Sequence, residues 1–178
     1  MSPTSTLVLP RTPVGPLTLV ASPAGLQEVR FGATPGAPAP GDLPTGPAGA
    51  SPTSPFLARA AEALEAYFAG ASDPFQDLPL ALERRTPFQQ TVYRVLRDIP
   101  RGRLLTYGEV ARDAGSGSPR AVGQAVGANP LPIIVPCHRV VAASRRLGGF
   151  SGGLERKVTL LELEGLIIQG EGFGARVG

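Results

Sequence analysis

Cys137 and His138 stand side by side in Ile133-Ile134-Val135-Pro136-Cys137-His138-Arg139-Val140, and each is the only residue of its type among 178. Thiol and imidazole are the side chains best suited to nucleophilic attack and proton transfer near neutral pH. The chain offers each of them once, at one place. A proline fixes the backbone before the thiol, and an arginine follows the imidazole. Covalent chemistry, if the protein performs any, belongs here. The pair alone does not separate a nucleophile from a small buried cysteine beside a surface histidine. One thiol and one imidazole cannot supply the four nitrogen and sulfur ligands of a structural zinc site. No clustered acidic motif asks for magnesium either, so no metal is expected.

The compartment and the partner are narrowed by composition and charge. A lone cysteine makes no internal disulfide, which suits a reducing interior. No apolar run approaches the ~18–20 residues that span a bilayer. Met1-Ser2-Pro3-Thr4-Ser5-Thr6 lacks the basic and apolar regions of a signal peptide, so a cytoplasmic protein without a membrane partner is expected. The net charge of +3 divides unevenly. Residues 1–85 carry five arginines against seven acids, giving −2, whereas residues 86–178 carry eleven arginines and one lysine against seven acids, giving +5. The half that holds Cys137 therefore points to an anionic partner.

The elements that must position this pair are punctuated by turn and cap signals. Leu7-Val8-Leu9, Leu17-Thr18-Leu19-Val20 and Leu26 to Phe31 read as short strands of an antiparallel meander. Twelve of the 24 residues from Gly32 to Pro55 are glycine or proline, which predicts a loop. Ser54-Pro55 opens a helix with Phe56, Ala60, Leu64 and Tyr67/Phe68 at helical spacing. A domain boundary is expected near residue 84. Thr86-Pro87-Phe88-Gln89 is a capping box, and the stripe Phe88, Val92, Val95, Leu96, Ile99 follows it to Pro100.

A second capping box, Thr106-Tyr107-Gly108-Glu109, opens a short helix stopped at Gly115. Ser118-Pro119 opens another, ending about Gly127. Two short helices across Gly115-Ser116-Gly117-Ser118 form a helix-turn-helix candidate, a pattern that many helical hairpins share. Arg112 and Arg120 bracket the turn, and Arg94, Arg97, Arg101 and Arg103 lie upstream, as a DNA-binding surface would require. Asn129-Pro130 turns the chain into an expected extended segment, Ile133-Ile134-Val135. A Gly-rich loop and a last helix bearing Leu154, Val158 and Leu161 come next. Residues 169–178 are expected to fray.

In these ordered blocks the sequence resembles the O6-alkylguanine-DNA alkyltransferases, also called methylated-DNA–protein-cysteine methyltransferases. The blocks are Thr106 to Ala111, Arg120-Ala121-Val122-Gly123, Asn129-Pro130, Pro136 to Val140, Ser151-Gly152-Gly153-Leu154 and Leu163-Glu164-Gly165. The likeness is close over residues 86–166 and holds only in general plan over residues 1–80. It implies an α/β protein, with a small N-terminal antiparallel sheet plus helix in residues 1–84. A winged helix-turn-helix-like active-site domain over residues 85–168 would follow.

The resemblance also implies the chemistry. Cys137 attacks the alkyl carbon on guanine O6 and keeps it as a thioether, once per molecule and without a cofactor. An ordinary thiol is mostly protonated at pH 7 and needs a base. The family uses its histidine through a water, oriented by a glutamate, and His138 and Glu164 match these. Tyr107 matches the proton donor to the leaving base, although core or cap packing would also explain a tyrosine there. Val140 and Ser151 match the groups that hold the base edge, and Asn129 matches the residue tying the recognition helix to the cysteine loop. Asn129 also reads simply as a helix-ending residue before proline.

Arg120 matches the arginine that fills the space of a flipped nucleotide, with Ala121 and Gly123 beside it on the DNA-facing helix. An ordinary phosphate contact is the simpler reading of that arginine. The implied partner is double-stranded DNA containing O6-alkylguanine, met by a monomer. Phe150 departs from the tyrosine of many relatives, the zinc ligands of some relatives have no counterpart, and segment 32–55 matches nothing.

Overall fold

The structure, a computed structural model, describes residues 4–39, 54–172 and 175–178. Two compact units divide the chain, residues 1–84 and residues 85–178.

In the first unit, β1 (Ser5–Leu9), β2 (Leu17–Ser22) and β3 (Gly25–Phe31) form the expected antiparallel meander, in the order β1-β2-β3. Leu7, Leu17, Leu19 and Leu26 are fully buried, so one face of the sheet supplies the core. α1 (Pro55–Phe68) covers it, capped by the Ser54 side chain, and buries Leu57, Ala60, Ala61, Leu64 and Tyr67. Gly25, at φ 143°, marks a close approach: a Cβ there would stand 2.5 Å from the Pro79 carbonyl oxygen. That approach lets Leu26 pair with Leu80 as an isolated parallel bridge. Most of the Gly/Pro-rich stretch expected as a loop, residues 40–53, lies outside the described residues.

The second unit starts with α2 (Pro87–Arg97), whose capping box between Thr86 and Gln89 is complete. Val92, Tyr93 and Leu96 form its buried face, and the Tyr93 hydroxyl donates to the Ala125 carbonyl at 2.9 Å. β4 (Leu105–Thr106) leads into α3 (Tyr107–Asp113), again with both arms of its capping box made. Gly115 turns the chain at φ 69°, and α4 (Pro119–Gly127) follows with the Ser118 side chain as its N-cap. α3 and α4 are the helix-turn-helix. β5 (Val140–Val141) pairs in parallel with β4, Leu105 opposite Val140 and Thr106 opposite Val141, which ties the start of α3 to the chain leaving Cys137.

Two expectations need correction. Ile133-Ile134-Val135 is a turn and not an extended strand, with Ile133 held at φ 74° and the Val135 amide bonded to the Leu131 carbonyl. The apolar run is buried as a compact turn because its backbone groups find partners within the loop. The described residues of the C-terminal segment, 169–172 and 175–178, do not form a loose tail. β6 (Ile168–Gln169) pairs antiparallel with β7 (Arg176–Val177), and Ala175 and Val177 pack with Val141, Leu147 and Leu161. Gly170 and Gly172, both at positive φ, follow β6, while Ala175 and Val177 gain burial in the core. α5 (Leu154–Leu163) completes the unit.

Candidate active site

Pro136 ends the turn that brings in the thiol, and Cys137–Arg139 then form a single 3-10 turn. The Cys137 amide donates to Val135 O at 2.7 Å and the Arg139 amide to Pro136 O at 3.0 Å. Cys137 and His138 therefore sit on successive positions of a tight turn, not on opposite faces of a strand. Both are buried, with Cys137 3% exposed. Asn129 holds this loop from the end of α4: its Nδ2 donates to Val135 O at 2.8 Å, and its Oδ1 accepts from the Leu131 amide at 3.0 Å.

Glu164, at the C-cap of α5, meets the turn from behind. Its Oε1 lies 2.7 Å from His138 Nε2, and its Oε2 accepts from the Gly102 amide at 3.1 Å. Arg139 donates from Nε to both carboxylate oxygens at 3.1 Å and from a terminal nitrogen to Oε1 at 2.9 Å. The other terminal nitrogen of Arg139 donates to the Ile99 carbonyl. A carboxylate late in a helix is disfavoured by the dipole, and these partners outweigh that cost.

Burial pushes the Glu164 carboxyl upward, but the hydrogen bonds and charges of His138 and Arg139 win and hold it well below the ordinary range. Burial lowers the His138 imidazole from 6.5, against the pull of Glu164, and the cations of Arg139 and Lys157 help to lower it. His138 is thus neutral at pH 7 and can accept a proton. Glu164 engages Nε2, and Nδ1 is buried.

The thiol itself is pushed up by burial, opposed by a hydrogen bond from Asn129 and by the charge of Lys157. Its resting form is the protonated thiol, so a nucleophilic role would require a base. Lys157 is a buried side chain that sequence reasoning missed. Its Nζ donates to the carbonyls of Val140 at 2.8 Å, Gly149 at 3.2 Å and Leu147. Burial lowers it to about 8. The available signal was helical phase: Lys157 lies three and four residues before Leu160 and Leu161, on the buried face of α5. Arg139, the counter-ion of Glu164, was also not singled out.

Tyr107 opens α3, and burial raises its phenol, with the neighbouring Cys137 adding to the effect. Two glycines flank its ring. A Cβ on Gly123 would reach Cδ1 and Cε1 at 4.0 Å, and one on Gly148 would reach Cε2 at 3.5 Å and the hydroxyl at 3.6 Å. Val140 is buried next to the cysteine turn, Phe150 is half-buried, and Ser151 is exposed in the turn before α5. Arg120 is exposed on the first turn of α4, and the Ala121 amide is bound by the Ser118 side chain at 3.1 Å. The structure thus gathers Cys137, His138, Glu164, Asn129 and Val140 around one turn, with Tyr107 beside them. Arg120 and Ser151 stand on the surface.

A helix-turn-helix tied by a parallel strand pair to a buried thiol, imidazole and carboxylate defines a class: a buried cysteine-histidine-glutamate cluster carried on a DNA-binding type of scaffold. Comparison with known proteins makes the class specific. Residues 87–166 match the DNA-binding domain of 6-O-methylguanine DNA methyltransferase, and residues 8–82 match its ribonuclease-like domain. A methylated-DNA–protein-cysteine methyltransferase of Mycobacterium tuberculosis is 44% identical over 161 residues, 86% of this chain and 88% of the relative. One from Mycolicibacterium paratuberculosis is 52% identical over 109 residues, 61% of this chain and 65% of that protein. A DNA base-flipping protein of Thermus thermophilus is 40% identical over 88% of this chain and 97% of its own. The crystal structure of Mycobacterium tuberculosis OGT in complex with DNA superposes with a TM-score of 0.72 at 39% identity, covering 90% of this chain and 92% of that one. The chain belongs to the 6-O-methylguanine DNA methyltransferase family.

Proposed function

We propose that this protein repairs O6-alkylguanine in double-stranded DNA by moving the alkyl group onto Cys137, once per molecule. The observation that carries this reading is the buried Cys137 thiol beside His138, with His138 Nε2 held by Glu164 at 2.7 Å. His138 takes the thiol proton, Sγ attacks the alkyl carbon in line, and the carbon–O6 bond breaks. Negative charge gathers on the departing guanine, Tyr107 supplies a proton to it, and the proton that His138 took from the thiol makes good the phenol, so that no net charge remains. The base returns unmodified and the thioether stays.

The target atom is inside the base stack, so the nucleotide must be extruded to reach a thiol set in the protein wall. Arg120, exposed at the start of α4, takes the vacated place, with Ala121 and Gly123 allowing the helix to approach the duplex. Val140, Ser151 and the ring of Phe150 line the base, and Asn129 couples α4 to the cysteine turn. The reaction uses no cofactor. A lone thiol that must stay reduced supports a cytoplasmic location. Among the described residues no helix is long and apolar enough to cross a membrane.

Intact-protein mass spectrometry after mixing with an O6-methylguanine duplex tests the reading. One methyl-sized gain per chain, mapping to the Cys137 peptide and absent in Cys137→Ser, is expected. Many turnovers per molecule would indicate a hydrolase, and duplex binding without transfer would indicate a lesion-recognition protein.

A further inference from the structure

We propose that Arg145, on the turn that follows β5, is a second DNA-gripping arginine, which holds a backbone phosphate beside the extruded guanine. The proposal rests on the alkyl-transfer reading above and adds a residue to it. Ser144 lies at φ 63°, ψ 20° and Arg145 at φ 59°. Two successive left-handed residues favour Asn-Gly, because a Cβ crowds the following carbonyl in this region. Ser-Arg occupies them here, and strain of this kind clusters where a side chain is needed for function.

The turn is anchored at both ends. The Ala142 amide donates to Arg146 O at 2.9 Å and the Leu147 amide to Ala175 O at 3.0 Å. Arg146 and Arg176 form a bridge, Leu147 is fully buried, and its carbonyl accepts from Lys157. The side chain of Arg145, however, is exposed and makes no hydrogen bond or ion pair among the described residues. Its one internal influence is on Glu109, whose carboxylate is already bound by the Thr106 amide at 2.7 Å and the Thr106 hydroxyl at 3.0 Å. A strained arginine with nothing to hold inside the fold is shaped for a partner outside it.

Its position fits a phosphate. Glu109 lies in the first turn of α3, the helix that Tyr107 opens, so Arg145 stands at that end of α3. Gly123 of α4 borders one edge of the Tyr107 ring, and Gly148, three residues after Arg145, borders the other. Arg120 and Arg145 therefore come from elements on opposite edges of Tyr107. With Arg120 filling the vacated stack, a guanidinium on the far edge meets the backbone of the extruded nucleotide. Guanidinium groups pair with phosphate through two parallel hydrogen bonds.

The test compares wild type with Arg145→Gly and Arg145→Lys. Each is measured for binding to a lesion-bearing duplex across a salt series, for reaction with free O6-benzylguanine, and for thermal unfolding. Arg145→Gly should bind the duplex several-fold more weakly, with the slope of log K against log salt shallower by ~0.9, one phosphate's share. It should unfold at a higher temperature because the strain is relieved, and should react with the free base at the wild-type rate. Arg145→Lys should keep the salt slope while losing part of the affinity. Unchanged affinity and slope in Arg145→Gly would overturn the proposal. Equal slowing with duplex and free base would also overturn it, since the turn would then only shape the site. Failure of the wild-type protein to transfer an alkyl group at all would count against the functional reading and leaves the salt slope to decide Arg145.

Discussion

Glu164 Oε1 and His138 Nε2 lie 2.7 Å apart with both side chains sealed from solvent, and the same carboxylate is shared with buried Arg139. The charge of Glu164 is thus balanced by arginine, leaving the imidazole neutral. A neutral base beside a protonated thiol avoids two opposite charges in a dry site until substrate arrives.

That sharing predicts a coupled stability effect. Glu164→Gln leaves Arg139 buried without its counter-ion and should cost about 3–5 kcal/mol. Adding Arg139→Met removes the stranded charge and should restore part of the loss. Urea unfolding of the single and double variants measures both, and a double variant weaker than Glu164→Gln alone would refute the shared-charge account.

The same groups set the acid limb. An unfolded histidine takes a proton near 6.5 that folded His138, held lower, does not. An unfolded glutamate takes one near 4.5 that folded Glu164 refuses. In both cases the unfolded state binds more protons, so stability falls as pH drops below about 6.5 and falls further below about 4.5. Unfolding free energies from pH 8 to 4 should show this, with the lower portion flattened in Glu164→Gln. Alkyl transfer should hold its rate as pH falls through 6.5 and decline only below it. A rate that halves at 6.5 would mean an unperturbed histidine.

Tyr107→Phe keeps the ring between Gly123 and Gly148 and removes the hydroxyl. Burial keeps that phenol protonated, as a proton donor must be. Transfer from the duplex should slow by roughly 10²–10⁴-fold, as for a lost general acid, with duplex affinity unchanged. A loss under about threefold would leave Tyr107 a packing residue.

Lys157→Met removes the donor shared by the Val140, Leu147 and Gly149 carbonyls, at about 1–3 kcal/mol for each group left unsatisfied. Folded Lys157 titrates at about 8 against 10.5 unfolded. Between those values the unfolded chain holds a proton the folded one has released, so the lysine's contribution grows more favourable as pH rises. The gap between wild type and variant should widen from pH 8 towards 10. A constant gap would show that the lysine is not desolvated.

Much of this arrangement was legible because it is local. Thr86-Gln89 and Thr106-Glu109 each close their own capping box within four residues, and the glycine after α3 fixes where it ends. Cys137 and His138 stood out by being single, and Glu164 by its match to the glutamate of the family that the ordered blocks resemble. The path of the chain into the thiol was not legible. Ile133 to Val135 has a strand's composition, and it is a turn because the Val135 amide bonds the Leu131 carbonyl and Asn129 reaches across to the Val135 carbonyl. Lys157 was hidden for a similar reason: its partners are three backbone carbonyls, which leave no mark in a sequence. The pairing of β6 with β7 depends on Ala175 and Val177 reaching a cluster contributed by β5 and α5, a long-range gain that glycine-rich composition concealed.

Under the alkyl transfer proposed above, Cys137, buried and the chain's only thiol, carries each molecule's history at a single atom. In denaturant that atom becomes reachable by a coloured thiol reagent, and no second cysteine blurs the reading. The titre of a sample then equals the number of chains still able to act, and its shortfall records the dose of alkylated bases or oxidant the sample has met. The protein is its own dosimeter.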